Sequence, residues 1–267
     1  MGKQEETKDE DDIKKVPTKS IYKCCPRRWC VAFLILLGGF VSLRLASSKG
    51  VIVGVMLNKT RNPENPNVIG EYHWQPHLSG YIDNSLCMGF VISQIPGGFL
   101  TIFFSSHLIL GISMFGFSTL NLLIPLLFHY STQLIEVTRF FQGIAAGPIV
   151  PAMFQVLRWW SPPLERTIFG SCIISGFLFG IVLDGLISSL VINYFSWNAS
   201  YYFNAIFGFF WCFLWWMFAA ERPAKLSSIS DNELQFIEKS LCYLIEVGPR
   251  FSLDQLFQVH GTKAYFY

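Results

Sequence analysis

Six long runs of apolar residues, separated by short polar segments, dominate the chain. The runs cover residues 29–57, 78–104, 108–128, 134–157, 168–191 and 201–220. A transmembrane helix needs about 20 mostly apolar residues, and these runs are too long and too continuous for the strands of a membrane barrel. The pattern therefore predicts an all-α integral membrane protein with six transmembrane helices over residues 29–220, between a tail at 1–28 and a cytoplasmic segment at 221–267.

Charge is scarce in this chain and concentrated near its two ends. The chain is 52% apolar and only 14% charged, whereas soluble domains average about 25% charged residues. These values exclude a soluble globular enzyme, and a net charge of +2 is too small for a nucleic-acid-binding domain. The polar stretch before the first run has no apolar period, which predicts a disordered tail. We therefore expect a multi-pass membrane protein whose first partner is the lipid bilayer.

The sequence offers no arrangement typical of catalysis or metal binding. His73 and His77 are four residues apart, but Pro76 between them is incompatible with a helix interior, so we expect loop histidines without a metal. Gly97 and Gly98 lie inside an apolar run and lack the strand and lysine of a phosphate-binding loop. The sequence accordingly predicts no enzyme activity, no metal and no cofactor.

The distribution of lysine and arginine predicts the orientation of the helices. Basic residues are enriched on the cytoplasmic side of membrane proteins. One side carries Lys14, Lys15, Lys19, Lys23, Arg27, Arg28, Arg158, Arg166, Arg222 and Lys225, and the other side carries Lys59 and Arg61. Both termini are therefore predicted to be cytoplasmic. Two glycosylation sequons, at Asn58 and Asn198, are expected in the first and fifth loops on the opposite side, as a glycoprotein of this orientation requires.

Ionisable residues within the apolar runs are the first candidates for a functional site. Each costs about 2.5–3.5 kcal/mol to insert and usually faces a polar cavity or an opposite charge. Lys49 in the first run and Asp83 in the second lie at similar depths, because consecutive helices run antiparallel. We expect them to form an ion pair, which serves either a substrate or ion site or the structure alone. Arg44 and Asp184 lie deeper, and each requires a partner.

Pairs of glycines four residues apart predict close contacts between helices. The pairs are Gly50 and Gly54, Gly143 and Gly147, and Gly176 and Gly180. Such residues share one helix face and let two backbones approach each other, although abundant glycine also produces this spacing by chance. Packing is favoured for Gly143 and Gly147, because Pro148 and Pro151 follow them and predict an irregular helix.

Several motifs, in a fixed order along the chain, indicate a family. They include Ser93-Gln94-Ile95-Pro96-Gly97-Gly98-Phe99, Arg139-Phe140-Phe141-Gln142-Gly143 and Trp160-Ser161-Pro162-Pro163-Leu164-Glu165-Arg166. They resemble the second helix, the fourth helix and the fourth loop of the anion:cation symporter family of the major facilitator superfamily. That family includes vesicular glutamate transporters, sialin and sodium-phosphate-type transporters. Pro26-Arg27-Arg28 and Pro223-Ala224-Lys225 are most similar to the vesicular glutamate branch.

The resemblance implies a fold and a function. Superfamily members have two halves of six helices with the substrate site between them. The chain is thus expected to be an N-terminal half, with residues 221–267 as a truncated central loop. The resemblance further implies a secondary transporter of organic anions, glutamate-like, in a vesicle or plasma membrane, coupled to a proton, sodium or chloride.

The same resemblance assigns roles to individual residues. An anionic substrate requires a cation at mid-depth, and the candidates for substrate binding are Lys49, Asp83 and Arg139. Arg139 has a structural alternative, which its surroundings favour, as a residue that ties the fourth helix to its neighbours. The scaffold motif consists of Pro96, Gly97, Gly98, Gln142 and Gly143.

Three positions depart from the family pattern at charged residues. The family's arginine in the first helix is Ala46, its histidine in the second is Asp83, and its glutamate in the fourth is Ala146. Lys49 lies about one turn beyond Ala46 on nearly the same face. Two alternatives therefore stay open: a sodium-phosphate or sialic-acid type transporter, and a transport-inactive half-length protein that binds a full-length relative or self-associates.

Overall fold

Seven α-helices make up the part of the chain that the structure describes. The computed structural model describes residues 27–61, 76–127, 130–162 and 165–220, and the side chains of 48–61, 76–80, 82, 83 and 132 lie outside that description. The helices are α1 (Arg27–Arg61), α2 (Pro76–Phe103), α3 (Ser106–Leu127), α4 (Thr132–Ala146), α5 (Ile149–Trp160), α6 (Arg166–Tyr194) and α7 (Trp197–Phe218). Because α4 and α5 continue one another, these helices form six apolar spans, which confirms the predicted fold class. The expected tail and central loop fall mainly on residues outside the description.

All six spans begin earlier than the apolar pattern predicts, and for two of them the reason is visible. α1 starts at Arg27 rather than at residue 29, because Arg28 is buried and pairs with Glu165 instead of belonging to the tail. α2 starts at Pro76, so the expectation that His77 lies in a loop is wrong. A proline suits the first position of a helix, where its fixed φ is already helical and its missing N–H needs no partner.

The fourth span is interrupted between α4 and α5 at Gly147 and Pro148, as the Gly-Pro sequence predicts. Ser131 caps the start of α4, and its side-chain oxygen accepts a hydrogen bond from the N–H of Gln133. The N–H of Gly147 still donates to Gly143 O at 3.0 Å, but Pro148 has no N–H to continue the ladder. The interruption is therefore local, and a single span crosses from residue 133 to 160.

Helix neighbours follow an inverted repeat of two three-helix units. The first unit is α1, α2 and α3, and the second is α4–α5, α6 and α7. The first helix of each unit packs against the second and third helices of the other: α1 on α6 and α7, and α4–α5 on α2 and α3. The two third helices, α3 and α7, pack on each other. Such nested 3+3 inverted repeats are typical of transporter halves.

Glycines allow two close contacts between helix backbones in the bundle. A Cβ at Gly176 would overlap Leu36 O of α1, and one at Gly180 would lie 2.6 Å from Phe40 O. On the other side of the bundle, a Cβ at Gly143 would overlap Leu86 O of α2. Backbone oxygens cannot move aside as flexible side chains do, so both contacts depend on the missing side chain.

Buried tryptophans connect the helices by hydrogen bonds at the end of the bundle where α1 and α3 begin. Trp160, Trp211 and Trp215 are fully buried. Their indole N–H groups donate to the backbone oxygens of Ala220, Leu34 and His107 at 2.9, 2.9 and 3.1 Å. Each bond joins two elements and satisfies the polar atom of a large apolar ring, which is how buried tryptophan is accommodated.

Candidate functional site

An ion pair lies inside the bundle between α1 and α6. Arg44 Nε lies 3.5 Å from Asp184 Oδ1, and the two side chains are 3% and 1% exposed. Arg44 also donates from Nη2 to Asn204 Oδ1 on α7. Arg44 follows the start of α1 by 17 residues, or about 25 Å of helix, so the pair is far from that end of the span. The sequence requires a partner for each residue, and the structure makes each the partner of the other.

Hydroxyl and amide groups complete the surroundings of the Asp184 carboxylate. Oδ1 accepts hydrogen bonds from Ser188 Oγ at 3.0 Å and from Asn204 Nδ2 at 3.3 Å, while Oδ2 accepts one from Ser47 Oγ at 3.1 Å. Ser200 Oγ donates to Ser188 Oγ at 3.1 Å. We call Arg44, Ser47, Asp184, Ser188, Ser200 and Asn204 the Asp184 cluster. It joins α1, α6 and α7, and its carboxylate is both neutralised and hydrogen-bonded, as a buried charge requires.

Aromatic rings enclose the positive end of this cluster. The guanidinium carbon of Arg44 lies 5.4, 5.6 and 5.5 Å from the ring centroids of Phe40, Phe203 and Phe207. Ring faces attract a cation, and the attraction is strongest where water is absent. Arg44 is therefore held by a carboxylate, an amide oxygen and three phenyl rings, and its side chain is 3% exposed.

A second polar network surrounds Arg139 on α4. Arg139 donates from Nη1 to Gln142 Oε1 at 2.9 Å and from Nη2 to the Tyr201 hydroxyl at 3.1 Å. Gln142 donates to Asn121 Oδ1 at 3.3 Å, and Asn121 donates to the Tyr201 backbone oxygen at 3.2 Å. We call Asn121, Arg139, Gln142 and Tyr201 the Arg139 network. It ties α4 to α3 and α7, the structural role that the sequence offers as an alternative for Arg139.

Charge neutralisation distinguishes Arg139 from the other two buried arginines. Arg28 pairs with Glu165 at 3.3 Å, and Arg44 pairs with Asp184. Among the described carboxylates, none forms a salt bridge with Arg139, although this side chain is only 1% exposed. The described site therefore contains one buried positive charge that neutral oxygens and the Tyr201 ring, 5.6 Å from the guanidinium carbon, compensate without a carboxylate.

Two of the predicted site residues have side chains outside the described part of the chain. Lys49 lies on α1 and Asp83 on α2, but both side chains are outside the description, so their ion pair stays a prediction. Ala46, at the position of the family's first-helix arginine, is partly buried against the core, and Ala146 is 7% exposed. Both alanines face protein, so these positions carry no charge that could contact a substrate.

The scaffold motif lies where α2 crosses α4 and α5. Gln142 is fully buried in the Arg139 network, and Gly143 faces the backbone of α2. Pro96 lies inside α2. A Cβ at Gly97 would lie 2.9 Å from Pro148 Cα, whereas one at Gly98 would reach only Pro151 Cβ, at 3.9 Å. The two adjacent glycines therefore differ, since only Gly97 is packed tightly.

Sequence reasoning missed the polar residues of α7 that hold both arginines. Ser200, Tyr201 and Asn204 are 1%, 2% and 2% exposed, and they reach the Asp184 cluster and the Arg139 network from one helix. Their signal is present in the sequence, since polar residues at 200, 201 and 204 lie within or at the start of an otherwise apolar run. The search for ionisable residues passed over it because none of the three carries a charge.

The two sequons are not in loops, which corrects the sequence-based expectation. Asn198 is the second residue of α7, and Ser200 of the same sequon is buried against Ser188. The connection between α6 and α7 is only Phe195 and Ser196. Asn58 lies in the last turn of α1, directly after the apolar run that ends at residue 57.

We expect glycosylation at Asn58 and none at Asn198. The transferase needs a sequon on an exposed, accessible segment. Asn58 is followed by the polar residues Lys59, Thr60 and Arg61, whereas Ser200 of the Asn198 sequon is buried. The measurement is the mobility shift on deglycosylation of chain made in microsomes, compared between Asn58→Gln and Asn198→Gln. A shift that survives in Asn58→Gln contradicts the assignment, and absence of any shift in the unaltered chain contradicts the predicted orientation.

Comparison with known proteins agrees with the fold. The model of the Major Facilitator Superfamily matches residues 50–243. Vesicular glutamate transporter 1 of Bos taurus is 30% identical over 219 residues, which are 81% of this chain and 39% of that protein. Vesicular glutamate transporter 2 of Homo sapiens is 30% identical over 219 residues, which are 81% of this chain and 38% of that protein. Probable vesicular glutamate transporter eat-4 of Caenorhabditis elegans is 29% identical over 226 residues, which are 84% of this chain and 39% of that protein. The chain thus spans about two fifths of the length of these relatives.

Proposed function

Since the chain belongs to the anion:cation symporter family of the major facilitator superfamily, we propose that it is one six-helix half of a secondary transporter of organic anions, with a glutamate-like substrate. The membrane is that of a vesicle, with both termini in the cytoplasm, and a proton, sodium or chloride couples to transport. A second six-helix unit completes the substrate cavity, because alternating access moves two units about a site between them.

The buried positive charge of Arg139 is the observation that supports an anionic substrate. A charge inside a membrane is expensive unless it is paired, and its field extends far in a medium of low dielectric constant. Arg28 and Arg44 have their own carboxylates, whereas Arg139 has only Gln142 and Tyr201 oxygens among the described residues. An anion near α4 would compensate it. In this proposal Arg139 attracts the anion through its field while it holds α4 in place.

A second candidate is a transport-inactive membrane protein that binds a full-length relative. Ala46 and Ala146 favour it, because both stand at charged positions of the family pattern and both face protein. The two candidates differ in one observable property. A transporter half should transport once a complementary unit is supplied, whereas an inactive protein should bind its relative and leave transport unchanged or reduced.

The chain reconstituted alone should not take up glutamate above background. A single unit exposes the cavity face of its helices to lipid instead of enclosing a site. The measurement is uptake of labelled glutamate, phosphate and sialic acid into liposomes, with an imposed membrane potential and proton or sodium gradients. Saturable uptake by the chain alone would contradict this expectation and would mean that the chain transports without a second unit.

A fusion to the second half of vesicular glutamate transporter 1 tests the proposal itself. We expect saturable glutamate uptake, reduced at least tenfold by Arg139→Met and less by Arg139→Lys, which keeps the charge. Thermal unfolding of each variant separates loss of charge from loss of structure. Uptake of phosphate or sialic acid in place of glutamate would favour those branches, and a folded fusion that transports none of the three would favour the inactive alternative.

A further inference from the structure

Asp184 is the carboxylate that lies deepest in the membrane among the described side chains of the six spans. The other such carboxylate, Glu136, is half-buried and is the fourth residue of its span. Asp184 precedes the end of α6 by ten residues, or about 15 Å of helix, which is half of a hydrocarbon core about 30 Å thick. Carboxylates at this depth are rare and often belong to ion or proton pathways.

Two serine hydroxyls connect Asp184 toward one end of the bundle, where α6 ends at Tyr194 and α7 begins at Trp197. We call this the α6–α7 end. Ser200 Oγ lies 3.1 Å from Ser188 Oγ, which lies 3.0 Å from Asp184 Oδ1. Ser188 is about one turn closer to this end than Asp184, and Ser200 is the fourth residue of α7. The three side chains, each 1% exposed, therefore form a buried hydrogen-bonded chain that leads toward the α6–α7 end.

The direction of the hydrogen bonds in this chain follows from the groups that form it. An ionised carboxylate only accepts hydrogen bonds, so the Ser188 hydroxyl donates to Asp184, and its oxygen accepts the bond from Ser200. Both O–H groups therefore point toward the carboxylate, at distances that suit proton transfer. Asp184 can take the proton of Ser188, Ser188 that of Ser200, and Ser200 one from water. One proton then moves inward, and each hydroxyl is restored.

Ser196 brings this chain within one helical turn of the surface. It is exposed and caps the start of α7, four residues before Ser200 and about 6 Å from it along the helix. Ser196, Ser200 and Asn204 are spaced by four residues and so share one face of α7, and Asn204 on that face donates to Asp184 at 3.3 Å. Bridging water can span the remaining gap between Ser196 and Ser200.

The charged group that faces Asp184, among the described side chains, is Arg44 of α1. The other groups that contact the carboxylate from α1 and α7, Ser47 and Asn204, do not titrate. Lys49 lies further along α1, and its side chain is outside the description. The ionised pair has no net charge, whereas protonation of Asp184 leaves the charge of Arg44 without a carboxylate. A net positive charge inside the membrane is costly, and an anion compensates it.

We propose that Asp184 is a proton-binding site and that Ser200 and Ser188 carry the proton to it from the α6–α7 end. Proton binding adds one positive charge to a bundle in which Arg139 already has no carboxylate among the described residues. A bound proton and a bound anion therefore stabilise each other, and this coupling is reciprocal. The coupling rests on the proposed function, for which it selects the proton as the coupling ion, whereas proton binding by itself does not.

Infrared spectroscopy of the purified full chain in detergent tests proton binding. The carbonyl band of a protonated carboxyl group should appear as the pH falls, and the part that belongs to Asp184 should be missing in Asp184→Asn, which keeps the size and an acceptor oxygen. If Asp184→Asn does not fold, the double variant Arg44→Gln with Asp184→Asn, which buries neither charge, replaces it as the reference. Spectra without an Asp184 band at every pH at which the chain stays folded would overturn the proposal.

The rate of this protonation tests the serine chain. After a light pulse releases protons from a photoacid, Ser200→Ala should slow the appearance of the Asp184 band about tenfold or more, because it breaks the chain and leaves every contact of the carboxylate in place. Ser200→Thr keeps a hydroxyl and should restore the rate. The matched control is Ser189→Ala, since the exposed Ser189 hydroxyl donates to Gly185 O in its own helix at 2.7 Å. An unchanged rate in Ser200→Ala, or an equally slow one in Ser189→Ala, would overturn the proposal.

The fusion to the second half of vesicular glutamate transporter 1 tests the coupling. Lowering the pH on the side of the α6–α7 end should reduce the half-saturating glutamate concentration about fivefold or more, and Asp184→Asn should abolish this dependence on pH. The two proposals fail separately, because the infrared band does not require transport. A fusion that transports nothing while the Asp184 band is present contradicts the proposed function and supports the proton site. Saturable uptake without an Asp184 band, or with the same dependence on pH in Asp184→Asn, overturns the proton site and leaves the proposed function standing.

Discussion

Replacing Asp184 with leucine is expected to prevent the bundle from folding stably. The substitution leaves the Arg44 guanidinium buried between α1, α6 and α7 without its carboxylate, and Ser47, Ser188 and Asn204 also lose their acceptor. Removing one partner of a buried ion pair typically costs about 3–5 kcal/mol, which is comparable to much of the stability of a domain. Size-exclusion profiles and thermal unfolding of detergent-solubilised protein measure the effect.

The double variant Arg44→Leu with Asp184→Leu should recover most of that loss. A buried ion pair often contributes little net stability relative to apolar residues of similar size, because desolvation offsets the attraction. Ser189→Leu, on the exposed face of α6 five residues from Asp184, is the matched control and should unfold at the temperature of the unaltered chain. If the double variant is as unstable as Asp184→Leu, the charge of Arg44 is not the cause.

The spans could be predicted from the sequence, whereas their neighbours could not. An apolar run of membrane length specifies a helix by itself, because lipid leaves the backbone no other partner. Contacts between helices depend on topology instead. Sequence reasoning paired Lys49 with Asp83 because consecutive helices run antiparallel, and that pair stays a prediction. In the described part of the chain, α1 packs mainly along α6, which the sequence does not predict. In an inverted repeat the first helix of one unit lies beside the second helix of the other. The hydropathy pattern of a single span does not predict which other span it contacts.

The ends of helices were predicted less well than their centres. Hydropathy detects the part of a helix that lies in the hydrocarbon, whereas hydrogen bonding continues into the polar interface. α1 therefore extends to Arg61, past the apolar run, and carries Asn58 with it. The same limit hides Arg28, which looks like tail sequence by its charge but is buried by its pairing with Glu165.

Gly176→Ala should be the most disruptive single-methyl change among the described residues of α6. The added Cβ would overlap Leu36 O and lie 3.0 Å from the Leu36 carbonyl carbon of α1. A backbone group in a continuous helix cannot rotate away, so α1 and α6 must move apart, and the Arg44–Asp184 pair further along the same contact must stretch. Overpacking of this kind costs about 1–3 kcal/mol and sometimes more, and we expect the upper end of that range.

Gly185→Ala on the same helix separates this steric effect from helix propensity. A Cβ at Gly185 would have no heavy atom within 4 Å, so the substitution gains the ordinary advantage of alanine over glycine in a helix, about 0.5–1 kcal/mol in soluble helices. We therefore expect Gly176→Ala to lower the unfolding temperature and Gly185→Ala to leave it unchanged or raise it. A fall of equal size in both variants would mean that the backbone of α6 itself requires glycine. The close contact with α1 would then not be the reason for glycine at position 176.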